Sequence, residues 1–273
     1  MKKIKLIISI LFSLFLMGCE DVVELDLNTA PPKLVVEASI FWFKNVSGKD
    51  QKIKLTTTTS YYNTEIPVVS GATIFIKNSS NTQFNFTELQ NSGEYVCNNF
   101  VPKTNETYTL TITYKNEVYT ASETLKSVAP ITKIIQNNNG GFTGDQIEIK
   151  SYFNDPVEET NYYLYKYNYT KQVTQNYYAD EDTFFQGNEF FSISQSDDLK
   201  PGDIIEVSHY GISKSYYNYI NILINISGSV SGSPFQSPPA TVRGNIINTT
   251  NPNNYALGYF SLSEVDSQTY TIE

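Results

Sequence analysis

From Lys33 onward the chain alternates apolar and polar positions with a period of two, the spacing at which one face of a strand meets a core. "KLVVEASIFWF" (33–43), "QKIKLTTTTSYY" (51–62), "ATIFIKN" (72–78), "SNTQFNFTEL" (80–89) and "GEYVCNNF" (93–100) each carry that pattern. "ETYTLTITYKNEVYTASETL" (106–125) reads as a hairpin, with Tyr108, Leu110 and Ile112 alternating against threonines and Asn116-Glu117 at the turn. "SVAPI" (127–131) ends that run, and a second β region follows in "KIIQ", "DQIEIKSYFND", "NYYLYKYNYT", "FFSIS" and "DIIEVSHY". The period then changes. "SKSYYNYINILINISG" (213–228) spaces Tyr216, Tyr219, Ile220 and Leu223 at three and four residues, which predicts a helix with Ser213 as N-cap and Gly228 beyond its end. The Gly-, Ser- and Pro-dense stretch 227–245 predicts an extended loop, and "YALGYFSLSEVDSQTYTIE" two closing strands.

Seven or so short strands within about 95 residues suggest a sandwich of immunoglobulin-like type. The predicted fold is mainly β: an immunoglobulin-like β-sandwich over 33–128, then a second β-rich domain over 129–273 with one helix near 213–227. A Cys…Trp…Cys framework is missing, and Cys97 reads as a small buried hydrophobe.

Half of the residues in "NYYLYKYNYT" (161–170) are tyrosine. Alternation places Tyr163, Tyr165, Tyr167 and Tyr169 on one face, and Tyr162, Leu164, Lys166 and Asn168 on the other. The all-tyrosine face is the more apolar and is expected to pack inward, provided each hydroxyl finds a partner. What remains as a candidate binding surface is Tyr162 and Lys166 with the flanking Tyr177 and Tyr178.

The N-terminus alters the picture. Lys2, Lys3 and Lys5 precede an apolar run too short to span a bilayer, then Leu16-Met17-Gly18-Cys19. This resembles a bacterial lipobox: 1–18 is read as a signal peptide, Cys19 as the lipidated residue and 19–32 as a tether. Without the signal, 16 Lys and Arg face 28 Asp and Glu, a balance that disfavours nucleic acid as a partner. With Cys19 consumed, Cys97 stands alone and no internal disulfide forms.

Catalytic chemistry finds few residues. His209 is the single histidine and sits in a predicted strand, so a histidine-dependent nucleophile or a zinc site lacks its set. Carboxylate pairs are the other route to hydrolysis: Asp155 with Glu158 and Glu159, Asp180, Glu181 and Asp182 with Glu189, and Asp197-Asp198, all read as solvated turn residues. Asp180 and Asp182 are weak calcium candidates by their oxygen ligands, though the spacing matches no EF-hand loop. No cofactor motif is present, and the chain is read as a non-enzyme.

Beyond single motifs, the ordered pieces "CEDVVELDL", "LVVEASI", "VSGATI", "NETYTLTITYKNEVYTAS", "NYYLYKY", "FFQGNEF", "PGDIIEVS", "SPFQSPPATVRGNI" and "ALGYFSLSEV" resemble the Bacteroidota lipoprotein family catalogued as domain of unknown function 4249. "LVVEASI" departs from it, with alanine where many members carry glycine. The resemblance implies no catalytic residues. It implies a lipoprotein of the outer membrane facing the cell exterior, anchored in lipid through Cys19, and accessory to a TonB-dependent transporter or to an unknown ligand. Glu20-Asp21 resembles the surface-export signal of such lipoproteins. The alternatives are a structural or adhesion module of the envelope and, third, a carboxylate-dependent hydrolase. The segment from Phe235 to Ile246 holds the single arginine, Arg243. Two readings stay open for it: a loop made rigid by Pro234, Pro238 and Pro239 with Arg243 in an internal ion pair, or an edge where Phe235 and Arg243 contact a partner or ligand.

Overall fold

The alternating segments become strands, and long-range pairing of the last of them decides the architecture. The computed structural model describes residues 30–60, 63–170, 175–196, 198–227 and 242–273. In chain order the strands are β1 (Leu34–Phe43), β2 (Gln51–Thr57), β3 (Thr73–Asn78), β4 (Gln83–Glu88), β5 (Glu94–Cys97), β6 (Thr107–Tyr114), β7 (Glu117–Thr124) and β8 (Ile131–Gly140). They continue as β9 (Gln146–Asn154), β10 (Tyr162–Tyr169), β11 (Gln175–Glu181), β12 (Glu189–Ser196), β13 (Ile204–Ile212), β14 (Ile247–Asn248) and β15 (Leu257–Thr271). The helix α1 (Lys214–Ser227) follows β13, and a short 3-10 turn (Asp182–Phe184) follows β11. Gly228 and most of the 227–245 segment lie outside the described residues.

Twelve strands form one sheet in the order β11-β10-β13-β15-β1-β2-β5-β4-β3-β6-β7-β14. From β15 to β14 these strands send Val36, Ile40, Leu55, Ile74, Ile112 and Phe260 into one core, so this wing closes over itself as a sandwich. The other wing, β11-β10-β13 with the end of β15, packs on a separate three-stranded sheet, β12-β9-β8. Their core holds Ile149, Phe153, Val207 and four of the five tyrosines of β10, Tyr163, Tyr165, Tyr167 and Tyr169. The opposite face of this wing carries α1 over Leu164, Tyr210, Ile212 and Tyr259. The mainly β, sandwich reading of the sequence holds.

β15 joins the two sandwiches. Residues 257–265 pair parallel with β1, and residues 265–271 pair antiparallel with β13. Two strands were expected here. One forms, because the exchange of partners at Val265 leaves the hydrogen-bonded ladder unbroken. Ile246, Ala256, Phe260 and Leu262 thereby return to the first core after the chain has built the second. Contacts group Pro32–Glu273 into one compact unit.

The connection from β7 to β8 is held by polar groups of β15. Glu264 accepts the Val128 N–H at 2.9 Å and pairs with Lys44 at 2.8 Å. Asp266 accepts the Ile131 N–H, and the Gln268 amide donates to the Ile131 carbonyl. The connection crosses β13 at Gly211, where a Cβ would stand 1.9 Å from the Ser127 carbonyl oxygen. The hairpin turn also shifts by one residue from its expected place. Lys115 and Asn116 both take positive φ (48° and 63°), the geometry of a two-residue turn matched to strand twist, and Glu117 begins β7.

Candidate functional site

The outer face of the second wing is built around α1. Ser213 caps the helix by accepting the Tyr216 N–H at 3.1 Å. Its own hydroxyl donates to the buried carboxylate of Glu123 on β7 at 2.9 Å, and the Tyr259 hydroxyl reaches the same group at 3.3 Å. One carboxylate therefore ties the helix start to strands of both sandwiches. Along α1, residues 217 and 219 lie about 200° apart, so they face opposite flanks. Tyr217 packs at a tilt against Tyr162 of β10, with ring centroids 5.2 Å apart. Tyr219 packs at a tilt against Tyr259 of β15, with ring centroids 4.6 Å apart. Ile222 and Ile226 remain exposed.

On the Tyr219 flank lies an open groove of about 280 Å³, lined by Asn218, Tyr219, Ile222, Arg243, Asn245 and Tyr259 among others. Its far wall is held by β15. The Asn245 side chain donates to the Phe260 carbonyl at 2.8 Å and accepts the Phe260 N–H at 2.9 Å, doing the work of a neighbouring strand. Gly244 presses so close to β15 that a Cβ would stand 1.5 Å from the Gly258 carbonyl oxygen. Arg243 thus projects from a fixed stretch of backbone. Its guanidinium lies 4.4 Å from the centroid of the Tyr255 ring, and the Lys33 ammonium sits 3.9 Å from the same centroid. Among the described residues no carboxylate lies within ion-pair range of Arg243. Among the described residues its contact is this cation–π one, and the ion pair of the first reading finds no described partner.

The other candidates are divided between faces. Tyr162, Lys166 and Tyr177 share the α1 side: Lys166 is in register with Tyr177, and both Tyr162 and Lys166 are half-buried. Tyr178 points the opposite way. Its ring meets Tyr167 at 6.0 Å and its hydroxyl meets Ser194 at 3.3 Å. Tyr177 and Tyr178 cannot belong to one surface, because adjacent strand residues face opposite sides. Cys19 and Phe235 lie outside the described residues.

The inward tyrosine row is sealed, and its hydroxyls organise the second core. Tyr163 donates to Asp155, Tyr167 bonds Ser192 at 2.7 Å, and Tyr169 bonds Ser194. The Tyr165 hydroxyl has no partner among the described residues. Burial pushes the phenol pKa of all four upward. His209 is fully buried, and desolvation lowers its pKa to about 3, so the ring is neutral. Nε2 lies 3.2 Å from Ser192 Oγ, while Nδ1 has no partner among the described residues. A serine relay needs a carboxylate on that second nitrogen and a route for substrate; here no described carboxylate meets the nitrogen and the pair is buried.

Two acids expected in solvated turns are buried instead. Asp155 accepts from Tyr163 and from the Gly187 N–H, and burial raises its pKa. Asp182 accepts the Asn161 N–H at 2.5 Å, and its other oxygen has no partner among the described residues. Both are spent closing the ends of β10 and β12. Asp180 sits within β11, opposite Tyr163. Glu189 pairs with Lys133 at 2.9 Å, while Glu158, Glu159 and Asp198 are exposed. Asp197 lies outside the described residues. No group of three His, Cys, Asp or Glu side chains placed to hold a metal occurs among the described residues. Cys97 is buried and its thiol meets Asn99 at 3.1 Å. No described helix is long and apolar enough to cross a membrane.

Fold and site together define a double β-sandwich with one surface helix and a shallow polar–aromatic groove beside it. The chain belongs to the family described as a domain of unknown function (DUF4249), which matches residues 20–269. No curated protein matches. Among solved structures, a two-domain fibronectin type-III segment from chicken tenascin is 12% identical, with 66% of this chain and 90% of that chain covered and a TM-score of 0.22. A cytokine receptor complex is 6% identical, covering 67% and 86% respectively, with a TM-score of 0.25.

Proposed function

We propose that this protein is a non-enzymatic binding module, held on the outer membrane by lipid on Cys19 and facing the exterior. It presents the α1 face to a ligand or to a TonB-dependent transporter. One observation carries the reading. The groups that could do bond chemistry (His209, Ser192, Asp155, Asp182) are enclosed as partners of structural atoms, whereas Arg243 is rigidly mounted on the surface beside an open groove. The anchor and the transporter partnership rest on the lipobox and on the family resemblance. Native-membrane purification tests them. Radiolabelled palmitate should enter the wild type and not Cys19→Ala, intact cells should lose the protein to added protease, and a barrel protein should co-purify. Absence of a barrel partner sinks the transporter reading.

A second reading, an adhesion or structural module of the envelope, is favoured by β15, which couples the two sandwiches through one strand. It predicts impaired attachment with unchanged nutrient uptake on gene deletion, the reverse of the first.

A further inference from the structure

The groove beside α1 has the elements of a terminal-carboxylate site. A carboxylate asks for a planar fork of N–H donors, which guanidinium supplies in bidentate geometry. Arg243 is the single arginine of a chain with a formal charge of −9, and yet no described carboxylate neutralises it. The Tyr255 contact is a cation–π one, which does not consume guanidinium N–H donors, and no described carboxylate takes them. The backbone below cannot drift, since Gly244 is pressed on Gly258 and Asn245 is bonded twice to Phe260. A donor held this way loses little conformational entropy when a ligand binds.

The rest of the groove says what should accompany the charge. Tyr219, Tyr259 and Ile222 give it an aromatic and aliphatic wall, and Ile222 is 41% exposed, so apolar surface awaits cover. Asn218 is exposed at the rim, with an amide able to bond a peptide group; Asn245 is not available, being spent on β15. A volume of about 280 Å³ fits one bulky side chain and its terminal carboxylate rather than a long extended segment.

We propose that the groove binds the free C-terminus of a peptide whose last side chain is aromatic or large and aliphatic. Arg243 holds the carboxylate, Tyr219, Tyr259 and Ile222 hold the side chain, and Asn218 bonds the last amide. This deepens the binding-module reading and rests on it.

The probes are acetyl-Gly-Gly-Phe with a free carboxylate and the same peptide as its carboxamide, titrated into the full-length protein in detergent and followed by saturation-transfer NMR and calorimetry. The acid should bind about 10-fold or more tighter than the amide, the discrimination of one charge-assisted pair. Arg243→Gln should erase that preference, Arg243→Lys should restore only part of it, and Ile222→Asp should weaken both peptides. Circular dichroism should stay that of the wild type in all three. Equal binding of acid and amide overturns the proposal, as does an acid preference surviving in Arg243→Gln, displacement by inorganic phosphate more effectively than by the acid, or no binding up to about 10 mM. The barrel co-purification and surface-exposure results do not enter this comparison, so the two ideas fail separately.

Discussion

Removing one oxygen from the core should make this protein more stable, provided it is the right oxygen. Tyr165 is fully buried, and its hydroxyl has no partner among the described residues. The ring is well used: it lies 4.8 Å from His209, 6.0 Å from Phe153 and 6.2 Å from Tyr163. Tyr165→Phe keeps those contacts and relieves the desolvation of an unsatisfied hydroxyl, about 1–3 kcal/mol. The small void left by the oxygen costs about 0.3 kcal/mol at roughly 24 cal/mol per Å³. The net expectation is a gain of about 1–2 kcal/mol, or roughly 2–4 °C in Tm for each kcal/mol at this size. Tyr163→Phe, two residues away on the same face, is the control. It strips Asp155 of a hydrogen bond to a buried carboxylate and should cost about 1.5–3 kcal/mol. That loss has a pH signature. Asp155 already has a raised pKa through burial, and without its donor the value rises further. A raised carboxyl pKa adds stability at low pH that is lost as pH rises through it, so the deficit of Tyr163→Phe should be largest near neutrality and shrink in acid. Urea denaturation followed by far-UV circular dichroism reads both variants, with unchanged m-values as the check on the unfolded state. A Tyr165→Phe variant less stable than wild type by more than about 0.5 kcal/mol would refute the reasoning, because a missing hydroxyl that hurts must have had a partner.

His209→Gln should flatten the acid limb of stability. The folded pKa of about 3 lies below the ordinary 6.5, so wild-type stability is intact above about 6.5 and falls as pH drops toward 3, by about 1.4 kcal/mol per pH unit for this one proton. Gly211→Ala should cost about 1–3 kcal/mol by thermal melts, since its methyl meets the Ser127 carbonyl directly. Glu117→Gln should speed hydrogen exchange at the Thr249 amide, because Glu117 gathers Tyr119, Asn248, Asn251 and Asn254 and so holds the 249–254 loop against β7. Those hydrogen bonds, Tyr119 foremost, keep the Glu117 pKa low, so the same loosening should appear in the wild type only as pH falls below about 4.5 through the folded value.

The tyrosine row was legible because alternation alone decides which side chains share a face, and the side with four rings is the one that repays burial. The partner strand was not. In "EFFSISQS" Ser192 and Ser194 are buried and Phe191 and Ile193 only half so, the inverse of their polarities. The tyrosine hydroxyls explain the inversion. A row of phenols crossing a sandwich delivers its polar ends to the opposite sheet, and that sheet must offer oxygens rather than methyls. The signal was present in two serines at a spacing of two, but it becomes readable only once β12 is known to lie opposite β10. The groove was hidden for a related reason. Val36, Gly244 and Gly258 stack as three backbones, and Asn245 copies a strand against Phe260, all pairings of residues far apart in the chain or separated by a loop. Arg243 could be singled out by its rarity, whereas its fixed mount on β15 could not.

The inversion of β12 also explains why chemistry-bearing residues cluster in the interior without forming an active site. Four buried phenols create a demand for acceptors and donors that the backbone, already paired in ladders, cannot meet. Ser192, Ser194 and Asp155 meet it for three of the four, Tyr165 being left without a described partner, and His209 is drawn in through Ser192. A serine beside a histidine here is therefore a consequence of tyrosine burial, as the neutral imidazole and an Nδ1 without a described partner indicate. The same accounting points outward for recognition. Polar groups consumed by the core are unavailable to a ligand. Among the described residues no carboxylate takes Arg243, Asn218 is exposed, and the backbone that follows Arg243 is held by β15. Evolutionary loss of one core phenol should accordingly be accompanied by an apolar replacement at the facing serine, whereas change at Arg243 should leave the β12 serines untouched.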